Sequence, residues 1–541
     1  MTSPVADPEA PPSASLDPPP REVELKLELA PADWKRLSRQ TTLAPALAAA
    51  PKAKRMEATY FDTPDGRLRA NGVSLRIRRT GAARVQTAKA ASGPSGGLFD
   101  RVEIEAPVAG DVPDLALFDG TPLAPLFAKR KVRAGLAPAF AVSVRRRTLV
   151  IGDGGFVAEM VVDEGTVRAG ERTEPVCELE LELRAGAAAD LFAFARRIAE
   201  TVPARLGFRT KADRGFALAA GEGPRVVKKI EIALDPATTA GAAFQRIARA
   251  CLAQLVANER ALRDLGAPGA IHQSRVALRR LRAAISLFKT VVDDERRRAV
   301  SAELKWMANA LGDARDLDVQ IATVVEPMRA AHPDDADLAH LAAAFAARRD
   351  AASAQAREAS TSARYRLMLI DAAAWIEAGS WLAGENRVRD ESVSAFAARL
   401  LKKRRKRIVR EGADLAALDP ESRHALRIEV KKLRYAVEFF ETAFGGGDEG
   451  KKASRKRARR HAEMLSRLEA LQEDLGALND LAVAHRMEAL FDTSDESLAR
   501  GFAKLERPDA AEAGPEHVAS ARKAVARLAK ARPFWAPPEK G

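Results

Sequence analysis

Glu22, Glu24 and Lys26 alternate with aliphatic residues over Glu22–Leu29, and the same alternation returns in Arg101–Glu105 and Glu178–Leu183. A period of two places Glu22, Glu24 and Lys26 on one face of a strand, and Glu178, Glu180 and Glu182 on one face of another. Leu75–Arg78 and Val144–Arg147 follow suit with arginines in place of acids. One charged strand face has a plain explanation, exposure to water on an antiparallel sheet. Here carboxylate pairs and arginine pairs recur two residues apart on several strands. Turned inward round a closed sheet, they line a tunnel with both signs. Such a lumen calls for a ligand, because unpaired buried charges cost several kcal/mol each. A short chain of phosphates with a divalent metal fits: carboxylate oxygens suit Mg²⁺ or Mn²⁺, and lysine and arginine suit phosphate oxygens.

A second set of chemical residues lies further on. His272, Arg275, Arg279 and Arg282 share a spacing with His424, Arg427, Lys431 and Arg434. Positions i, i+3, i+7 and i+10 fall on one helix face, so each set forms a cationic stripe. The apolar frame repeats too: Val276, Leu278, Leu281, Ile285 and Phe288 correspond to Ile428, Val430, Leu433, Val437 and Phe440. Leu311–Val319, with Arg315, Asp316 and Asp318, is echoed by Leu475–Val483, with Asn479 and Asp480. This is an internal duplication, with extra residues near Gly445–Gly450 and the basic run after it. The duplicated stripes read as a polyanion-binding surface; the structural alternative pairs them with Asp316 and Asp480 inside each bundle. No nucleophile–base pair and no phosphate-cradling glycine loop accompanies them, so this half reads as a binding module.

The elements that must position these residues change at one point in the chain. From Arg21 to about Ala220 the pattern is strands, with short helical pieces near Ala32–Ser38 and Asp190–Thr201 and turns at Thr63–Gly66 and Gly152–Gly155. After Gly221–Pro224, long Ala/Leu/Arg/Glu segments carry helical periodicity from about Ala240 to Arg532. The expected plan is a disordered leader (1–20), a strand domain (21–221), a linker (222–237), a helical domain (238–532, as repeats 238–390 and 391–532) and a tail (533–541).

The whole chain, 541 residues with 47% hydrophobic and 30% charged, is long enough for large cores. Its net charge of +14 favours anionic partners. Aromatics are only 5%, thin for stacking bases, and no recognition-helix motif appears, so no specific nucleic-acid partner is expected. Cys177 and Cys251 form no CxxC pattern, which suits a reducing cytoplasm and argues against a thiolate zinc site. No apolar run is long enough to span a bilayer, and no membrane partner is expected. Met1–Pro20, rich in Pro, Ala and Ser, does not read as a signal peptide.

The ordered set Glu22-x-Glu24-x-Lys26, Tyr60–Asp65, Leu68, Gly72–Arg79, Lys89, Arg101–Glu105, Arg145-x-Arg147, Cys177–Glu182 and Lys211–Arg214 resembles CYTH domains, also called triphosphate tunnel metalloenzymes. The helical half resembles the CHAD domain, and the pairing is similar to bacterial inorganic triphosphatases. The resemblance implies a two-domain α+β fold: an antiparallel eight-stranded β tunnel, then an all-α duplicated helical bundle. It implies a divalent cation, Mg²⁺ or Mn²⁺, and attack of water on a terminal phosphoryl group of inorganic triphosphate. Glu22, Glu24 and Lys26 are then the catalytic signature. Glu22, Glu24, Asp163, Glu178 and Glu180 hold or orient metal, with Glu105, Glu159 and Glu182 as further carboxylates. Lys26, Arg76, Arg78, Lys89, Arg101, Arg145, Arg147, Lys211 and Arg214 bind phosphates. In the helical half, His272, Arg275, Arg279, Arg282, His424, Arg427, Lys431 and Arg434 bind polyphosphate, which implies an association with polyphosphate granules. One departure is Ala88 between Thr87 and Lys89, where the family usually has a bulkier aliphatic residue. The same tunnel also suits an organic triphosphate (thiamine triphosphate or a nucleotide), cyclisation of ATP, or capture of polyphosphate without turnover. The aromatics that could stack a base, chiefly Tyr60, Phe61 and Phe99, are few.

Overall fold

A computed structural model of the chain describes residues 24–39, 43–49, 51–91, 101–153, 155–445, 450–488, 491, 494–505 and 510–536. Glu22, Phe99 and the leader lie outside the described residues, as does the side chain of Arg101.

The alternating segments form antiparallel strands: β1 (Glu24–Glu28), β2 (Lys54–Asp62), β3 (Val73–Thr80), β4 (Ala83–Ala91), β5 (Arg101–Pro107), β6 (Ala137–Asp153), β7 (Phe156–Ala169), β8 (Arg172–Ala185) and the two-residue β9 (Arg205–Leu206). Their order in the sheet is β5-β4-β3-β2-β6-β7-β8-β1-β9. Eight long strands were expected, and β9 is the addition. The expected closure is absent among the described residues: β5 and β9 are edges, and no ladder joins β5 to β1. The sheet nonetheless curls enough for β1 to β8 all to contribute side chains to one cavity.

The two faces of the sheet do different work. On the outer face Leu25, Leu27, Leu149, Ile151, Met160, Val162, Leu179 and Leu181 are buried. They belong to one core with Leu191, Phe192 and Ile198 of helix α1 (Ala188–Thr201). The inner face is charged, and helix α2 (Lys211–Ala219) packs against β6, β7 and β8. Thr210 caps α2 by accepting from Asp213 N, while Asp213 accepts from Thr210 N. Phe216 of α2 meets Phe140 edge-on at 5.0 Å, and Phe140 stacks on Tyr60 at 4.5 Å. Gly215 allows this approach: a Cβ there would lie 2.0 Å from the Phe140 ring.

The helical half shows its duplication directly. Helices α3 (Ala240–Leu265), α4 (Pro268–Leu287), α5 (Arg296–Ala310), α6 (Gly312–Gln320), α7 (Ala336–Thr361) and α8 (Ala363–Ala378) precede α9 (Val393–Glu411), α10 (Pro420–Phe439), α11 (Lys451–Glu488), α12 (Glu496–Leu505) and α13 (Ala510–Lys530). The two striped helices, α4 and α10, both open on proline, which lacks only an N–H that would go unpaired there. The repeats meet at a reciprocal contact: Ala240 N donates to Glu391 O at 2.9 Å and Val393 N to Thr238 O at 2.7 Å. Behind it, Phe288 lies 4.7 Å from Phe396 and 5.7 Å from Phe440, so corresponding phenylalanines of the two repeats pack together. The extra residues of the second repeat lengthen α11, whose first turns are the basic run Lys451–Arg460.

The expected linker and the start of the expected tail are both packed against the core. Residues 222–237 are not a free leash, because Asn258 bonds Val227 N and O at 2.9 and 2.8 Å and Leu234 is buried. Phe534, expected in the tail, is 1% exposed and packs on Phe444 and His461. Both follow from apolar side chains finding core that a local pattern does not reveal. No helix among the described residues is long and apolar enough to cross a membrane.

Candidate active site

A cavity of about 250 Å³ opens on the inner face of the sheet. Its cations are Lys26, Arg76, Arg78, Lys89, Arg146 and Lys211; its acids are Glu24, Glu103, Glu159, Glu180 and Glu182. Strand alternation delivers them. Glu24 and Lys26 come from β1, Arg76 and Arg78 from β3, Lys89 from β4, and Glu180 and Glu182 from β8, each pair two residues apart.

Beneath the cavity lies an acidic trio. Carboxylate oxygens of Asp163, Glu178 and Glu180 lie within 4.8 Å of one another. Asp163 and Glu178 are fully buried and do not line the cavity. Their charges are taken up by cations: Lys211 Nζ lies 2.7 Å from Asp163 and also contacts Glu178, Lys26 Nζ lies 3.1 Å from Glu178, and Arg146 donates to Asp163 at 2.6 Å. With Glu180, Asp163 and Glu178 form a group of carboxylates that could hold a metal ion, and Glu178 Oε2 is buried without a hydrogen-bond partner. Asp163 and Glu178 anchor Lys26, Lys211 and Arg146, and Glu180 bridges the two layers with contacts of 3.0 Å to Lys26 and 3.1 Å to Lys211.

Electrostatics follow this layering. Burial alone would discharge Lys26 and Lys211, but Glu180 and Glu178 more than offset it and hold both ammonium groups above their ordinary pKa. Burial works likewise against Glu180, yet Lys211, Lys26 and Arg146 keep its carboxyl well below the usual range. Glu24 goes the other way: burial and then the charge of Glu180 push its pKa up. Glu24 and Glu180 thus set two neighbouring carboxylates on the cavity as an oxygen donor set. That suits a hard divalent cation. Glu24 and Glu180 could hold one from the side of the cavity, whose lining also includes Glu159 and Glu182.

Several of the residues expected to bind phosphate line the cavity and others do not. Arg76, Arg78, Lys89 and Lys211 line the cavity. Arg78 donates to Glu105 at 2.7 Å and Lys89 pairs with Glu103 at 2.7 Å. Arg76 Nε and Thr87 Oγ1 are buried there without a hydrogen-bond partner. Arg145 and Arg147 are on the opposite face, beside Trp34 and Glu164. Arg146 takes the inner position instead. Counting in twos from the outer core residues Leu149 and Ile151 puts 147 and 145 outside, a parity signal that was available in the sequence. Arg214 also turns away from this cavity, towards Glu28 at 2.9 Å. Arg146, Tyr60, Glu103 and Thr87 are among the lining residues that the sequence reading did not assign to the site.

The stripes of the helical half are also mixed. Arg275 donates to Leu311 O, Gly312 O and, at 3.0 Å, Asp316, tying α4 to the α5–α6 junction. Arg434 is engaged by Glu438 at 2.6 Å and Gln472 at 3.0 Å. Arg279 is exposed and Arg282 half-buried, and neither has a carboxylate partner among the described residues. Burial and then Arg315, Arg279 and Arg275 depress the pKa of His272, which marks a surplus of positive charge around it. His424, Arg427 and Lys431 lie on α10 in register with the first stripe.

Residues 20–216 match the CYTH domain and residues 246–489 the CHAD domain. The chain is thus a CYTH–CHAD protein, a sheet-based N-terminal domain joined to a duplicated helical one. An inorganic triphosphatase from Haemophilus influenzae is 29% identical over 161 residues, which is 30% of this chain and 45% of that relative, so the match spans less than half of it. Among solved structures, the CHAD domain of the plant Ricinus communis is 28% identical, covering 56% of this chain and 97% of that one, with a TM-score of 0.48. A Hippeastrum protein described as having a dominant triphosphatase activity is 18% identical, covering 37% of this chain and 97% of that one, with a TM-score of 0.29.

Proposed function

We propose that the curled sheet hydrolyses inorganic triphosphate to diphosphate and phosphate, using Mg²⁺ or Mn²⁺ held by Glu24 and Glu180. The observation that carries this reading is the cavity itself, in which six cations and five acids from seven of the eight long strands and α2 face a space of about 250 Å³. That volume lies below the roughly 300–1,000 Å³ of sites that bury drug-sized ligands. The aromatic on its wall, Tyr60, is stacked on Phe140 and offers no free face to a base. Phe61 is buried in a separate cluster on the other side of β2. A small polyanion fits this lining better than a nucleotide does.

Phosphoryl transfer asks mostly for positioning and charge neutralisation. Arg76, Arg78, Lys89 and Arg146 grip phosphate oxygens, and the unpartnered Nε of Arg76 and Oγ1 of Thr87 are donors ready to use. Lys26 and Lys211 are fixed in place by the acids beneath them, so no reorganisation is needed when substrate arrives. A divalent cation supplies Lewis acidity and further charge neutralisation. Pure anion capture would not require the carboxylates that face the cavity. The helical half serves as a polyphosphate-binding module, supported by Arg279 and Arg282 and the second stripe on α10.

A substrate panel tests the reading. Phosphate release from triphosphate should exceed that from ATP and thiamine triphosphate in kcat/KM, and chelation should abolish it. Equal or greater turnover of an organic triphosphate would overturn the substrate assignment.

A further inference from the structure

A second and larger cavity, about 620 Å³, lies where the far end of the tunnel domain meets α3 and the segment that joins the two domains. Three guanidiniums converge in its wall on a single oxygen. Glu174 Oε1 lies 3.0 Å from Arg260 Nη1, 3.4 Å from Arg209 Nη1 and 3.6 Å from Arg214 Nη1. Arg260 comes from the helical domain, and the other two come from the tunnel domain. One carboxylate cannot neutralise three cations, and only Arg260 approaches the distance of a strong charge-assisted hydrogen bond. Burial lowers the pKa of Arg209, and Arg214 and Arg260 push it the same way against the pull of Glu174.

The other acids of this cavity are mostly shared with further cations, though Asp264 also lies 3.5 Å from Arg260 Nε. Glu222 is held by Arg69 through two contacts of 2.9 Å, Glu259 by Arg205, and Asp264 by Arg263 at 2.7 Å. Asp213 caps α2 at Thr210. Glu28 takes Arg214 at 2.9 Å, but Arg214 is only 7% exposed and its Nε is buried with no hydrogen-bond partner. The side chains of Arg209 and Arg260 are 36% and 41% exposed, so a solute can reach them.

We propose that this interdomain cavity is a second anion site, which takes a multiply charged phosphate species between Arg209, Arg214 and Arg260. An anion carrying two or more charges supplies the neutralisation that Glu174 alone does not. Free phosphate, free diphosphate and the end of a polyphosphate chain share this chemistry. Because its walls come from both domains, the bound anion ties them together. Arg214 also lies 3.8 Å from Glu178 of the acidic trio, which places it between the two cavities. The proposal does not depend on turnover in the tunnel.

Arginine-selective modification of the intact wild-type chain by phenylglyoxal tests it, with peptide mass spectrometry reading each arginine separately. Inorganic phosphate, diphosphate and long-chain polyphosphate are the three arms, each at matched ionic strength. At least one arm should slow modification of Arg209 and Arg260 severalfold while exposed Arg145, on the outer face of β6, reacts as before. Protection by phosphate or diphosphate identifies a free anion as the ligand, and protection by polyphosphate alone identifies a chain end. The same protection should persist in Arg76→Ala, whose tunnel has lost a phosphate ligand. Unchanged reactivity of Arg209 and Arg260 in every arm would overturn the proposal. So would equal slowing of Arg145, or loss of protection in Arg76→Ala.

Discussion

At the scale of single residues, one position in β6 separates a functional arginine from two that face away. Arg146 bonds Asp163 and Glu180 at the floor of the cavity, whereas Arg145 and Arg147 sit on the outer face. Arg146→Ala should lower kcat/KM by about 10²–10³, the cost typical of losing one preorganised electrostatic group. Arg145→Ala should stay within about twofold of wild type, as expected of surface changes away from the chemistry. Steady-state phosphate release checks both. Glu24 sets a pH dependence whose sign follows from its environment. Its pKa is raised by burial and by Glu180, and the form that holds a cation is the ionised one. Activity should therefore fall on the acid side at a pH above the ordinary Glu value of about 4.3. Raising Mg²⁺ should move that acid limb to lower pH, because metal and proton compete for the same oxygens. A limb that ignores metal concentration would place the titration elsewhere.

At the scale of elements, α2 acts as the inner support of the sheet and supplies Lys211. Its fit depends on Gly215, where a Cβ would collide with the Phe140 ring. Gly215→Ala should destabilise the protein by about 1–3 kcal/mol, the usual cost of overpacking, and reduce activity by displacing Lys211. Thermal unfolding with a parallel assay measures both, and an unchanged Tm would mean that α2 can shift without loss. On α4 two arginines of one stripe do different jobs. Arg275→Ala should lower the Tm, since it removes the contacts to Leu311, Gly312 and Asp316. Arg279→Ala should leave the Tm unchanged and weaken binding of long-chain polyphosphate, more so at low salt than at high salt. Binding isotherms beside melting curves separate the two outcomes.

At the scale of the whole molecule, the two domains are joined by more than a covalent connection. Helix α1 packs against α8, Arg196 bonds Asp371 at 3.0 Å, and one apolar core runs from Leu25 through Phe192 to Phe244 and Trp375. Every residue proposed for catalysis lies before Gly221, so a fragment spanning 21–221 should still hydrolyse triphosphate. It should nonetheless unfold at a lower temperature than the intact chain and self-associate, because separation bares the apolar face of α1. Calorimetry and sedimentation of the fragment, alone and mixed with a fragment beginning at Ile230, measure this. A Tm equal to that of the full chain would show that the shared core adds nothing.

The sequence alone determined the architecture and the chemical character of both halves. Period-two alternation requires Glu24 and Lys26, or Arg76 and Arg78, to share a face, and repeated helical spacing requires the stripes on α4 and α10. Those are local consequences of backbone geometry. Three matters were left to tertiary structure. The parity of Leu149 and Ile151 groups the residues of β6 into two faces, but which face turns inward depends on its register with β7, where Arg146 meets Asp163, and a shift of one residue exchanges the faces. Which cations a buried acid meets depends on what is packed against it, and Lys211 arrives at Asp163 and Glu178 from a helix 33 residues beyond Glu178. The interdomain cavity brings Arg209, Arg214 and Arg260 to Glu174 from segments that share no pattern. Charge and periodicity are written along the chain, but the pairing of one charge with another is decided only when distant elements meet.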